Sequence, residues 1–248
     1  GHLLPILCQP DLLHESVPVP EGLFFAGLDS GVRHAVSGST YSAVRCAAFM
    51  GYTIIARSLG IDRSAVEQFR QTGDRTLLPY SGYLCNIPPA EFGERFIRLL
   101  PETITGSEFL DGFGQTTDAV TEIDPAGLYA VRACASHPIM EQERVKRFLE
   151  LVNSESADTD ARDAELGALM AASHMAYTEC GIGSKRTDEI VAMTRRNFSD
   201  LVIGTKITGG GSGGTVCMLV RGDDGLAAVS EIRDRMQKRH RTVLRVFE

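Results

Sequence analysis

Apolar residues recur along this chain with two periods, about 3.6 and about 2, and the switches between them mark out the elements. Leu3–Leu7 reads as a strand with no partner before it. After a loop punctuated by Pro18 and Pro20, the apolar run Leu23–Leu28 (LFFAGL) predicts a second strand. Gly31, Ser37 and Gly38 make the next stretch loop-like. A helix follows from Ser39 or Thr40, either of which is a good N-cap, to Ser58, with Val44, Ala47, Ala48 and Ile55 on one face. Short helices and loops fill 61–100, one of them opened by Pro88-Pro89 with Phe92, Phe96 and Leu99 on one side. Gly106–Pro125 looks like a connection with helical pieces, and Tyr129–Ala133 (YAVRA) looks like a strand.

Three helices come next. Ser136 before Pro138 suits a first turn; Glu141 and Glu143 follow early, and Val145, Phe148, Leu149 and Val152 form the stripe expected to be buried. Ser154–Asp163 reads as a solvated acidic turn, Ala164–Tyr177 as the second helix, and Ser184–Arg196 as the third, after a break at Gly181 and Gly183. The end of the chain is the clearest part. Leu201–Thr208 and Thr215–Val220 are strands around the loop Gly209–Gly214; Asp223, Asp224 and Gly225 turn the chain. Leu226–Arg239 is a helix with Leu226, Val229, Ile232 and Met236 inside, and Thr242–Phe247 is a closing strand. The class expected is α+β, helices packed on a mainly antiparallel sheet.

Composition narrows the function. A hydrophobic fraction of 43% over 248 residues supports a real core, in one large domain or two small ones. A net charge of -7 argues against nucleic acid or an anionic membrane as partner. The basic run Lys238–Arg241 reads as the solvated end of a helix. The six cysteines are scattered, with no CxxC pair, which points away from zinc and towards a reducing cytoplasm. No apolar stretch approaches the length of a bilayer span, and Gly1–Cys8 lacks the basic leader and cleavage site of a signal peptide. The first methionine is Met50, so Gly1-His2 fits an expression remnant, an internal cut or a start after methionine removal.

The strongest chemical signal is Gly204–Gly214 (GTKITGGGSGG). Consecutive glycines let backbone amides approach a ligand closely and form concave nests for anions. A dinucleotide fingerprint needs a helix after the loop, but an apolar strand follows here. A P-loop needs Lys followed by Ser or Thr, but Ile207 follows Lys206. A flexible linker is the remaining alternative, at odds with two flanking apolar strands.

Gly204–Leu219 (GTKITGGGSGGTVCML) resembles the third motif of the GHMP kinases, the superfamily of galacto-, homoserine, mevalonate and phosphomevalonate kinases. Three more segments resemble galactokinases in the family's order: Asp29–Tyr41 with Val44-Arg45, His137–Val152, and His174–Val191, whose Cys-Gly-Ile-Gly-Ser is closer to the arabinokinase-like branch. The resemblance implies that 1–248 is the C-terminal domain of such a kinase, with 1–30 supplying strands that border an N-terminal domain not in this chain. It implies ATP and Mg²⁺ as cofactors and a sugar as substrate, phosphorylated at its anomeric hydroxyl. Tyr41 would touch the sugar. Thr208, Gly209, Gly210, Gly211, Ser212, Gly213 and Gly214 would line the active-site wall near the transferring phosphate.

The family's Pro-x-x-x-Gly-Leu-Ser-Ser-Ser nucleotide loop and its Met-Asp-Gln segment do not occur in the chain. The presumed catalytic base would lie upstream of Leu3, so no catalytic residue and no metal ligand is assigned here. Two functions stay open: an enzyme whose intact form transfers phosphate, this chain alone being inactive, or a non-catalytic sugar-binding or regulatory protein on the same fold. Other residues carry ordinary readings. Asp29-Ser30 would end a strand and start a turn, and His34, His137 and His174 would be hydrogen-bonded structural histidines. Arg33 and Arg45 would face a phosphate or pair with Glu or Asp on the surface, and Glu155–Asp163 would be solvated loop.

Overall fold

The structure, a computed structural model, describes residues 1–9, 12–32, 39–154 and 158–247. The expectations for Arg33, His34, Ser37, Gly38 and Glu155 lie outside the described residues. In chain order the elements begin with strands β1 (His2–Leu3), β2 (Ile6–Leu7), β3 (Leu12–Leu13), β4 (Val17–Pro18) and β5 (Leu23–Asp29). Helices α1 (Ser39–Ser58), α2 (Arg63–Thr72) and α3 (Pro89–Glu91) follow, then β6 (Ile104–Thr105), α4 (Gly106–Phe113) and β7 (Leu128–Tyr129). Next come α5 (Val131–Val152), α6 (Thr159–Glu179) and α7 (Lys185–Asn197). The chain closes with β8 (Val202–Ile207), β9 (Thr215–Arg221), α8 (Gly222–His240) and β10 (Val246–Phe247).

The chain divides into two compact units, Gly1–His34 with Arg144–Met175 and Gly183–Glu248, and Ala35–Glu143 with Ala176–Ile182. The first holds a four-stranded antiparallel sheet in the order β10-β5-β9-β8. Alternation decides which residue faces which layer. Ala26, Leu28, Val216, Met218 and Val220 point to one side, against Val229, Ile232 and Met236 of α8 and Ile190 of α7. Leu23 and Leu219 point to the other, against Leu151 and Val152 of α5 and Leu166 and Met170 of α6. A sheet covered on both faces requires apolar residues in both registers, which is why β9 reads as a nearly unbroken apolar run. Helix α6 lies close enough to edge strand β8 that a Cβ on Gly167 would stand 2.1 Å from the Ile203 carbonyl oxygen.

The second unit is helical around one core. Met50, Ile55, Phe96, Phe109 and Ile139 are among its fully buried residues. Thr105 and Glu108 form a capping box at the start of α4, and β6 pairs β7 antiparallel beside it.

Several expectations are corrected. Leu3–Leu7 is two short strands rather than one, and each has a partner downstream: β1 pairs β4 and β2 pairs β3. Of Tyr129–Ala133 only Tyr129 is in a strand, because α5 already begins at Val131. Val131, Cys134, Ala135 and Ile139 are buried at i, i+3, i+4 and i+8 spacing, so packing carries the helix through Pro138 despite its missing N–H. Val145, expected inside, is 46% exposed, while Leu151 joins Val152 in the core. After α3 a π-turn spans Phe92–Phe96, and Leu100 rather than Leu99 follows the two phenylalanines inside. Asp223, Asp224 and Gly225 are the first turn of α8, not a turn before it, and the closing strand is only Val246–Phe247.

Candidate functional site

The glycine loop joins β8 to β9 as a hairpin connection, closed by the Thr208 amide donating to the Thr215 carbonyl at 3.0 Å. Its backbone is left-handed almost throughout. Gly209 has φ 74°, Gly211 79°, Ser212 56°, Gly213 131° and Gly214 69°. Side chains disfavour that region, so the glycines are required by the path of the chain. The loop is anchored rather than trailing. The Gly214 amide donates to the Val32 carbonyl at 3.2 Å, and its carbonyl accepts from the Ser30 amide at 2.8 Å. Those anchors sit at the end of β5, where the Asp29 carboxylate accepts from the Gly31 amide at 2.9 Å and Ser30 is fully buried. Asp29 thus forms the turn expected of it. Among the described residues no backbone carbonyl accepts from the amides of Gly210, Gly211, Ser212 or Gly213. A run of successive amides without backbone partners is a donor surface suited to an anion.

His174, buried on α6, holds the strand that leads into this loop. Its Nδ1 accepts from the Ile207 amide at 3.3 Å, and its Nε2 lies 3.2 Å from a carboxylate oxygen of Asp188. Burial pushes the imidazole pKa down, against the opposing pull of Asp188. A neutral ring is what an accepting Nδ1 needs. Because the folded value is lowered, the unfolded chain binds the proton first as pH falls from about 6.5 towards that lowered value. Stability will therefore drop as pH falls through this window, and amide exchange at Ile207 will accelerate. His174→Gln should flatten that slope in a thermal-melt series; an unchanged slope would assign the effect to another group.

The second unit positions Tyr41 in the first turn of α1, 51% exposed. One turn on, Arg45 grips Asp118 with two hydrogen bonds of 2.9 Å each. Asp118 is buried and also accepts from the Val120 amide at 3.0 Å and the Thr121 amide at 3.2 Å. Burial pushes this carboxyl up, but the hydrogen bonds from Arg45 and Thr121 outweigh it and hold it well below the usual carboxylate range. Asp118 in turn raises the Arg45 pKa, with a smaller contribution from a hydrogen bond to Tyr41. Arg45 and Asp118 thus form a two-bond pair one turn along α1 from the exposed Tyr41. Asp118 was invisible in the sequence, where Thr116-Thr117-Asp118 reads as a polar connection.

The remaining ionisable candidates are dispersed. His137 stacks edge-on against Tyr177 at 5.1 Å between ring centroids. Asp163, expected in solvated loop, is buried and paired with Arg162 and Arg221 at 2.9 and 3.1 Å. No group of three or more His, Cys, Asp or Glu suited to a metal ion occurs among the described residues. No helix among them is long and apolar enough to cross a membrane.

Residues 159–241 match the family model described as GHMP kinases C terminal. The chain is 36% identical over 237 residues to L-arabinokinase of Arabidopsis thaliana, an alignment covering 88% of this chain and 23% of that protein. It superposes on Lactococcus lactis galactokinase complexed with galactose at a TM-score of 0.64 and 14% identity, covering 99% of this chain and 50% of that one. The chain therefore spans about a quarter of the curated relative it matches, and its fold is the α+β fold of a GHMP kinase C-terminal part.

Proposed function

We propose that this chain, the C-terminal part of a GHMP-family sugar kinase, supplies one wall of a site that transfers the γ-phosphoryl group of ATP to the anomeric hydroxyl of a sugar. The observation that carries this reading is the anchored run of left-handed residues from Gly209 to Gly214. The amides of Gly210 to Gly213 fit the anionic phosphates of ATP, donating where charge develops during transfer. The segment Thr208–Gly214 contains no carboxylate, so Mg²⁺, which neutralises phosphate charge when bound, would be held from elsewhere in the intact protein. Tyr41, exposed in the first turn of α1, would donate to or accept from the sugar. The base that deprotonates the sugar hydroxyl would come from the segment upstream of Leu3.

This reading predicts sugar-dependent ADP release by the intact protein across a panel of galactose, arabinose and sugar acids, and none by the 248-residue chain alone. Absence of release from the intact protein on every sugar would overturn it in favour of a non-catalytic binding module. Turnover by the chain alone would refute the assignment of the base to another segment.

A further inference from the structure

The second unit contains a cavity of about 260 Å³ that the kinase reading does not use. Its lining residues include Arg45, Arg70 and Arg75 and one acidic residue, Asp118. That carboxylate is already engaged by Arg45. Arg70 donates to the backbone carbonyls of Thr116, at 2.9 Å, and of Asp118. Arg75 donates to the carbonyl of Ser81 at 3.2 Å and lies over the Tyr83 ring at 4.1 Å from its centroid. Carbonyls and a ring face orient a guanidinium without neutralising it. Two arginines of this lining, Arg70 and Arg75, therefore have no carboxylate partner among the described residues.

A second feature points the same way. Thr117 also lines the cavity, is 4% exposed, and its Oγ1 has no hydrogen-bond partner among the described residues. Buried hydroxyls are normally satisfied, and one left unpaired beside positive charge calls for an acceptor from outside the chain. Phe49, Phe69 and Tyr83 complete the wall with aromatic surface.

We propose that this cavity is a binding site for a small phosphate monoester, distinct from the glycine loop. A dianion matches the two uncompensated guanidiniums, and its terminal oxygens supply acceptors for Arg70, Arg75 and the Thr117 hydroxyl together. The volume exceeds what inorganic phosphate fills, and the aromatic wall suits a small organic body beside the phosphate. The inference does not depend on the kinase reading, since Arg70, Arg75 and Thr117, on which it rests, take no part in that reading.

The test is calorimetric titration of the 248-residue chain at fixed ionic strength with glucose 6-phosphate, inorganic phosphate and malonate. Glucose 6-phosphate should bind saturably and more tightly than the other two. Thr117→Val removes an unsatisfied hydroxyl, so it should leave the melting temperature of the free chain unchanged or raised, yet weaken the monoester about tenfold, as loss of a charge-assisted hydrogen bond does. Thr117→Ser should restore binding, and Arg75→Gln should weaken it by a similar factor. Inorganic phosphate or malonate binding as tightly as the monoester would overturn the ligand class. Equal binding by the parent chain and both weakening variants, or no saturable binding at all, would overturn the site.

Discussion

Asp118→Ala will destabilise the second unit by about 3 kcal/mol, measured by urea unfolding. Truncation leaves the Arg45 guanidinium without its counter-charge and strands the amides of Val120 and Thr121 that now donate to the carboxylate. Breaking a buried pair from one side costs about 3–5 kcal/mol. The lower end applies because the Arg45 side chain is 36% exposed and water partly replaces its partner, while that of Asp118 is only 2% exposed. Removing both charges, as in Asp118→Ala with Arg45→Met, should cost less than the single change, because no charge is then left uncompensated. The hydrogen bonds that hold the Asp118 carboxyl below the usual range also fix the pH dependence. A depressed folded value means the stabilisation is complete above the unfolded pKa of about 3.9 and fades only as pH falls further. The difference between parent and variant should therefore be constant from pH 7 to 5 and shrink in stronger acid. A difference under about 1 kcal/mol at pH 7 would place Asp118 among ordinary surface pairs.

If the glycine loop acts as proposed, Gly213→Ala in the intact protein will lower kcat by about a hundredfold to a thousandfold while leaving KM for the proposed sugar nearly unchanged. Gly213 is buried and has φ 131°, a conformation essentially closed to residues with a Cβ. Alanine must either hold a strain of about 1–3 kcal/mol or move the backbone, and movement re-aims the amides of Ser212 and Gly213. Those amides are proposed to meet charge that develops only during transfer, so the loss should appear in kcat rather than in sugar binding. A kcat within about threefold of the parent, with the strain visible as lowered stability, would mean that the loop shapes the hairpin without touching the reacting phosphate.

How much was legible beforehand differs from element to element. β5, α1, α7 and the β8–loop–β9–α8 succession were readable from apolar periodicity and capping residues, since each element buries one consistent face or, for β9, both. The glycine loop was readable as a hairpin connection because six residues that refuse a regular element stand between two apolar strands. Tyr41 stands at the start of α1, as its sequence context predicts, whereas the Arg45–Asp118 pair one turn on carries no local signal.

Local sequence thus determined β5, β8, β9, the helices α1, α7 and α8 and the backbone freedom of the loop, because these follow from side-chain size, period and the lack of a Cβ within a few residues. Only the tertiary structure decided the rest. It carried α5 through Pro138, because burial of Val131, Cys134, Ala135 and Ile139 outweighs one missing hydrogen bond. It buried Asp118 and Asp163, two carboxylates that local polarity assigned to loops, because arginines distant in sequence meet them there. It gathered Arg45, Arg70, Arg75 and Thr117 around one cavity, although Arg45 and Thr117 stand 72 positions apart. Charge pairing and cavity formation depend on which segments meet in space, and neighbouring residues along the chain hold no record of that.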